Sequence, residues 1–183
     1  MKLDKKDFKM IGILSKDGRK SLSDMGKDLG LSHVAIRSRL KKLLESKVIK
    51  IDASISSEKL RFLNVILCLE VMDISKYINE FSTCSRIYEM IRTSGKYNLI
   101  VFFFAEDVNT LNSVLYKCRF TTDPNIKNFS VNISSSSSIR LNPLGLKNGV
   151  CSTKCSSCKE YLDDKCVGCI SSDVYKGVLQ TIN

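Results

Sequence analysis

The sequence predicts an α+β chain in three parts: a helix-turn-helix over residues 1–52, a ferredoxin-like βαββαβ domain over 60–141, and, after a linker at 142–150, a small zinc-binding tail over 151–183. Three observations predict it. Residues 1–50 carry apolar side chains at helical spacing between capping residues and glycines, and hold 14 Lys plus Arg against 6 Asp plus Glu, so that +8 of the chain's formal +10 sits there. The middle of the chain alternates short apolar runs with amphipathic segments in the order β, α, β, β, α, β. The end places five cysteines in CSTKCSSCKEYLDDKCVGC, residues 151–169.

In LDKKDFKMIGILSKDG, Leu3, Phe8, Ile11 and Leu14 recur at helical spacing and the run stops at Asp17-Gly18. SLSDMGKDLG reads as a short second helix capped by Ser21, with Asp24 in its first turn and Gly30 free to take the left-handed conformation that ends it. The third helix starts at the cap Ser32 and puts Ile36, Leu40, Leu43 and Leu44 on one stripe, with His33, Arg37, Arg39, Lys41 and Lys42 mostly elsewhere.

Two short helices and a turn feeding a cationic helix form a helix-turn-helix, whose third helix enters the major groove of DNA with its N-terminal residues at base edges. Those residues are His33, Val34 and Arg37. The forked guanidinium of Arg37 matches guanine O6 and N7, whereas Arg39, Lys41, Lys42 and Lys50 are placed to hold phosphates. Ser32 offers its hydroxyl and the helix N-terminus to a phosphate. The plain alternative for such a charge run is a solvated face; the ordered caps, glycines and cations favour double-stranded DNA. MKLDKKDFKM is charged throughout and lacks the apolar core of a secretory leader, and no stretch is apolar for the ~18 residues that a membrane span requires. A soluble, cytoplasmic chain without membrane contact is therefore expected.

The middle reads as a strand over FLNVILCLEV, a helix over DISKYINEFS, strands over SRIYEMIRT and YNLIVFFFA, a helix over EDVNTLNSVLYKC and a last strand over IKNFSVNIS. Helices cover one face of such a sheet, so an isolated copy should alternate apolar and polar residues along its strands. VILCL at 65–69 and LIVFFFA at 99–105 do not alternate. The second face must also be kept from water, and a second copy of the same sheet is the simplest cover, which predicts a homodimer or higher homo-oligomer. Beyond the last strand a serine run, Ser134 to Ser138, leads to Ile139 and Leu141, which are candidates for an edge strand before Pro143.

The first fifty residues resemble the N-terminal winged helix-turn-helix of the Lrp/AsnC, or feast/famine, transcription regulators in the Leu3-Asp4 start, the Asp17-Gly18-Arg19 turn and the LS-x4-R-x-RL-x2-L run from Leu31 to Leu43. One departure is Lys47, where the family usually has glycine before Val-Ile, so a non-glycine must take the helix-ending conformation. The middle domain resembles that family's C-terminal half, whose sheets pack face to face in dimers, and together the matches span roughly residues 1–140. The resemblance implies sequence-specific DNA binding in transcription regulation. It also implies a small-molecule effector near a Gly-x-Tyr-Asp-like turn, here Gly95-Lys96-Tyr97-Asn98, with Asn98 in place of the usual Asp. The plain alternative is a hairpin turn with a packed tyrosine.

In the tail, Cys155-x2-Cys158 and Cys166-x2-Cys169 are two knuckles seven residues apart, with Cys151 four positions upstream. Two such pairs can supply a tetrahedral thiolate shell suited to zinc, while soft thiolates also suit Cu(I) and four of them an iron–sulfur cluster. The fifth cysteine can replace a ligand, help to hold a second metal or stay a thiol. A structural zinc button, a metal or redox sensor and an extra nucleic-acid contact compete, the last opposed by Glu160, Asp163 and Asp164 between the knuckles. Some archaeal regulators that resemble Lrp/AsnC have cysteine-rich metal-sensing tails of different spacing. Cys68, Cys84 and Cys118 lie scattered in apolar surroundings.

An enzyme is the weaker alternative. The sirohaem decarboxylases resemble this architecture and rely on histidines in the sheet domain, but the single histidine here, His33, lies on the third helix. No nucleotide loop, no nucleophile beside a histidine and no paired carboxylates appear in the sequence.

Overall fold

Asp4 begins the first helix of the computed structural model, which describes residues 2–52, 54–134, 140–141 and 154–179. Its carboxylate accepts from the N–H groups of Lys6 and Asp7, and the Asp4 N–H in turn donates to the Asp7 carboxylate, a reciprocal cap for α1 (Lys5–Lys16). Ser21 caps α2 (Leu22–Leu29) and Ser32 caps α3 (His33–Glu45), each hydroxyl accepting from a backbone N–H three residues on. Met10, Met25, Ile36 and Leu43 form the buried centre of this unit, with Leu3, Leu14, Leu22 and Leu40 packed around it.

Two apolar positions differ from the sequence reading. Phe8 is 62% exposed and Leu44 40%, while Met10 is fully buried. The inward stripe runs from Leu3 through Asp7, Met10 and Leu14 of α1, with Asp7 meeting Arg39 of α3 at 2.7 Å. Phe8 lies off that stripe and faces water.

The α2–α3 turn depends on two glycines. Gly30 takes a left-handed φ of +59° to end α2. Gly26 lies so close to the next segment that a Cβ there would meet the Leu31 carbonyl oxygen at 2.7 Å, and the Leu31 N–H donates to the Gly26 carbonyl at 2.9 Å. After α3, Lys47 sits at φ +56°, the left-handed conformation expected of the position where glycine is usual. A side chain there costs roughly 1–2 kcal/mol, so Lys47→Gly should stabilise residues 2–52 by about 1 kcal/mol, read as a higher denaturation midpoint by circular dichroism.

The chain divides into two compact units at Ala53/Ser54. The second is built on four antiparallel strands, β2 (Leu63–Val71), β3 (Ile87–Arg92), β4 (Leu99–Ala105) and β5 (Ile126–Ser134), in the order β3-β4-β2-β5. Helices α4 (Ile74–Phe81) and α5 (Val108–Tyr116) connect them, which makes the βαββαβ, ferredoxin-like arrangement. Val65, Leu67 and Leu69 of β2 and Leu99, Val101 and Phe103 of β4 are fully buried with Tyr77, Phe81, Leu111 and Val114 of the helices. A short separate pair joins β1 (Ile55–Ser56) to β6 (Arg140–Leu141). Leu141 thus enters a strand away from the main sheet, and Ile139 lies outside the described residues.

The opposite sheet face is apolar as well. Cross-strand pairing places Ile66 beside Phe102, Cys68 beside Ile100, and Ile100 beside Ile91. All five are partly or largely accessible in the single chain. At one end of this face Phe104 stacks on Phe62 at 5.1 Å, and Ile170, Tyr175 and Leu179 of the tail close over them. The tail belongs to the same compact unit as the sheet.

Candidate functional site

His33, Val34, Arg37, Lys41 and Lys42 are exposed on α3, and Val34 is 75% accessible. Spacings of three and four residues align Val34, Arg37 and Lys41 along one stripe of the helix, with His33 at its N-terminal edge. Arg37 makes no ion pair among the described residues. Lys41 lies 3.7 Å from Glu45 in an exposed pair that solvent weakens. Lys50 lies 2.6 Å from Asp52. Ser32 already accepts from the Ala35 N–H, which leaves its hydroxyl proton available to a phosphate.

Arg39 has another task. One of its terminal nitrogens, Nη1, reaches Asp4 Oδ2 and Asp7 Oδ1, each at 2.7 Å. The Asp7 backbone N–H and then this guanidinium hold the Asp4 carboxyl below its ordinary value. Arg39, expected on a phosphate, thus joins α3 to the start of α1 through two carboxylates. The Asp4-x2-Asp7 cap was the only sequence signal for it.

The Gly95–Asn98 turn joins β3 to β4, with Gly95 at φ +113°. Asn98 Oδ1 accepts from the Val71 N–H at 2.9 Å and its Nδ2 donates to the Val71 carbonyl at 2.8 Å. Both ends of the amide are thus spent stapling β4 to the end of β2. An aspartate could accept from the same N–H but could not donate to the carbonyl.

The tail closes a chamber against the sheet domain. Cys155, Cys158, Cys166 and Cys169 line a cavity of about 200 Å³ together with Cys84, which follows α4, and Cys118, which follows α5. Burial pushes the Cys84 and Cys155 thiols up and takes Cys118 up to about 12. The Cys155–Cys158 knuckle is a tight turn in which the Cys158 N–H donates to the Cys155 carbonyl. The second knuckle bends at Gly168, φ +86°, whose missing side chain leaves room for the Tyr161 ring 3.3 Å from where a Cβ would stand. Among the described residues no three Cys, His, Asp or Glu side chains converge closely enough to hold one ion. Cys151 lies outside the described residues.

A buried polar relay fastens this tail. Arg86, only 3% exposed, ion-pairs with Glu106 and donates to the Gly168 carbonyl. The other Glu106 oxygen accepts from the Tyr175 hydroxyl at 2.6 Å. Arg86 is invisible as a functional residue in the sequence, since its partners lie 20 and 82 positions away.

A capped, glycine-jointed helix-turn-helix with a cationic third helix, followed by a ferredoxin-like domain, defines a DNA-binding transcription regulator. Residues 3–44 match the AsnC-type helix-turn-helix domain. The chain is 30% identical over 117 residues to the HTH-type transcriptional regulator Ptr1 of Methanocaldococcus jannaschii, covering 62% of this chain and 79% of that one. It is 34% identical over 117 residues to the HTH-type transcriptional regulator FL11 of Pyrococcus abyssi, covering 62% and 78%. The fold matches that of Escherichia coli AsnC with a TM-score of 0.65 at 17% identity, over 76% of this chain and 96% of that one. The chain belongs to the Lrp/AsnC family of transcription regulators. No helix among the described residues is long and apolar enough to cross a membrane.

Proposed function

We propose that this regulator reads a pseudopalindromic operator as a homodimer, with Arg37 as its principal base-reading residue. The carrying observation is a division of labour on α3. Arg39 is bound to Asp4 and Asp7, whereas Arg37, beside accessible Val34 and His33, carries a bidentate donor into solvent. Lys41 and Lys42, with the hydroxyl of Ser32, serve phosphates; Lys50 contributes once DNA competes with Asp52 for its charge.

The homodimer rests on the strip formed by Ile66, Cys68, Ile91, Ile100 and Phe102, which is too apolar and too continuous for water to be its best cover. Pairing through it is self-complementary and brings two α3 helices to one duplex. Assembly beyond the dimer, to a higher homo-oligomer, fits the same family pattern. Sedimentation of the full chain should give twice the chain mass, and Phe102→Glu should give the single-chain mass with its circular dichroism retained. A wild-type chain that sediments as one copy at micromolar concentration contradicts the proposal.

A small-molecule effector at Gly95, Tyr97 and Asn98 is the second element of this reading. Because the Asn98 amide is engaged by Val71, an effector would be met by Tyr97 and the backbone beside Gly95. The tail's cysteines suit a thiolate-bound metal, zinc or Cu(I) where the group is a single ion and an iron–sulfur cluster where it is polynuclear.

A further inference from the structure

The six cysteines around the tail chamber carry an inference that the DNA-binding reading neither contains nor depends on. A single zinc draws four sulfurs to about 2.3 Å from its centre, which leaves no free space among them. Here the sulfur-bearing residues stand around a cavity of about 200 Å³, several times the ~30 Å³ share of one water molecule. A polynuclear group has the opposite requirement, because each of its corners takes one thiolate and the ligands stand apart.

The surroundings fit such a group. Phe81, Val114, Phe120 and the Tyr161 ring give the chamber apolar walls, which shield a cluster from water. The Ser85 and Ser171 hydroxyls lie 3.7 Å and 3.2 Å from Cys169 Sγ, where hydroxyl–sulfur bonds stabilise the charge on a ligating sulfur. Four thiolates on a [4Fe–4S]²⁺ core give a net charge of about −2, and Arg86, Lys117 and Arg119 border the chamber, with Arg86 already paired to Glu106 and Lys117 free of any ion pair among the described residues. Arg119 is partly engaged by Glu80 and Asp123; Arg86 reaches the second knuckle directly through the Gly168 carbonyl. Ile170, Tyr175 and Leu179 are too few buried apolar anchors to order residues 154–179 alone, so ligation has a folding task as well.

We propose that Cys155, Cys158, Cys166 and Cys169 hold a [4Fe–4S] cluster in the chamber between the tail and the ends of α4 and α5. Cys84 and Cys118 form its opposite wall and are not ligands, since the two knuckles supply all four thiolates. Loading is a ligand exchange without change of oxidation state. Four iron–sulfur bonds to a carrier's small thiolates break and four form to the knuckle cysteines, whose protons pass to the released thiolates.

The test uses the full chain, purified without oxygen, and a preformed [4Fe–4S] cluster carried by small thiolates. About four iron and four inorganic sulfide per chain are expected after exchange, with the visible charge-transfer absorption of a cluster and protection of the tail from proteolysis. Cys155→Ser/Cys158→Ser should lose the iron while circular dichroism shows the sheet domain folded, and Cys166→Ser should lose it independently. Cys84→Ser/Cys118→Ser should retain it. A chain that takes up about one zinc and refuses the cluster overturns the proposal in favour of the mononuclear site. Iron retained without Cys155 and Cys158, or lost with Cys84 and Cys118, overturns the ligand assignment.

Discussion

Arg86→Ala should destabilise the sheet domain by about 3–5 kcal/mol and detach the tail. The guanidinium is buried, ion-paired to Glu106, bonded to the Gly168 carbonyl, and positioned 5.9 Å from the centre of the Phe104 ring. Its removal leaves a carboxylate without its cation in a place that water reaches poorly, and an unpaired carbonyl beside it. The loss comes from uncompensated charge more than from the worth of the pair, so Arg86→Met combined with Glu106→Leu should recover a large part of it. Tyr175 would then keep its packing on Phe62 and Phe104 while losing its acceptor. Chemical denaturation followed by circular dichroism, with proteolysis of residues 154–179 in parallel, measures both effects. An Arg86→Ala chain as stable as the parent, with its tail equally protected, would remove the relay from this account.

Arg37→Ala should weaken binding to the preferred operator by about 1–3 kcal/mol and leave random duplex nearly untouched. One forked donor on a guanine edge accounts for that range, because the edge it leaves is read by nothing else on its stripe. Lys41→Ala should act differently. A phosphate contact is blind to sequence, so affinity for every duplex should fall together and the logarithmic salt slope should shrink by about one. The two variants fold alike, since both side chains are exposed on α3 and neither enters the Met10–Met25–Ile36–Leu43 core. Fluorescence titrations at several salt concentrations on both DNAs separate the two roles. Equal losses on both DNAs for both variants would refute the division of labour.

How far these features could be read from the sequence depended on whether their partners were local. The four strands and two helices of the sheet domain were legible because apolar runs such as LIVFFFA and amphipathic segments such as DISKYINEFS are local signals. The caps Ser21 and Ser32 were legible for the same reason, and the left-handed Lys47 through the family resemblance, which has glycine there. Phe8 was misplaced because helical spacing admits more than one stripe in α1, and the stripe that is buried is the one that meets Met25, Ile36 and Leu43 of the later helices. Distance in the chain also hid the pairing of Arg39 with Asp4 and Asp7, since its charge looks the same on a phosphate or on a carboxylate. Asn98 read as a departure from an acidic turn, yet its amide meets a backbone group of β2 that no spacing rule connects to it. The knuckles announced themselves, whereas Cys84 and Cys118 looked like ordinary core thiols. Only the path of the tail past the ends of α4 and α5 brings all six to one chamber.

If paired ferredoxin-like domains present two copies of α3 to one duplex, then selection of bound duplexes from a random library by the full chain should yield an enriched, inverted sequence. Its two halves should lie about 34 Å apart or a multiple of it, with a guanine in each half whose preference disappears in Arg37→Ala. A library left without enrichment, or a single unpaired half-site bound by one copy of the chain, would contradict that arrangement.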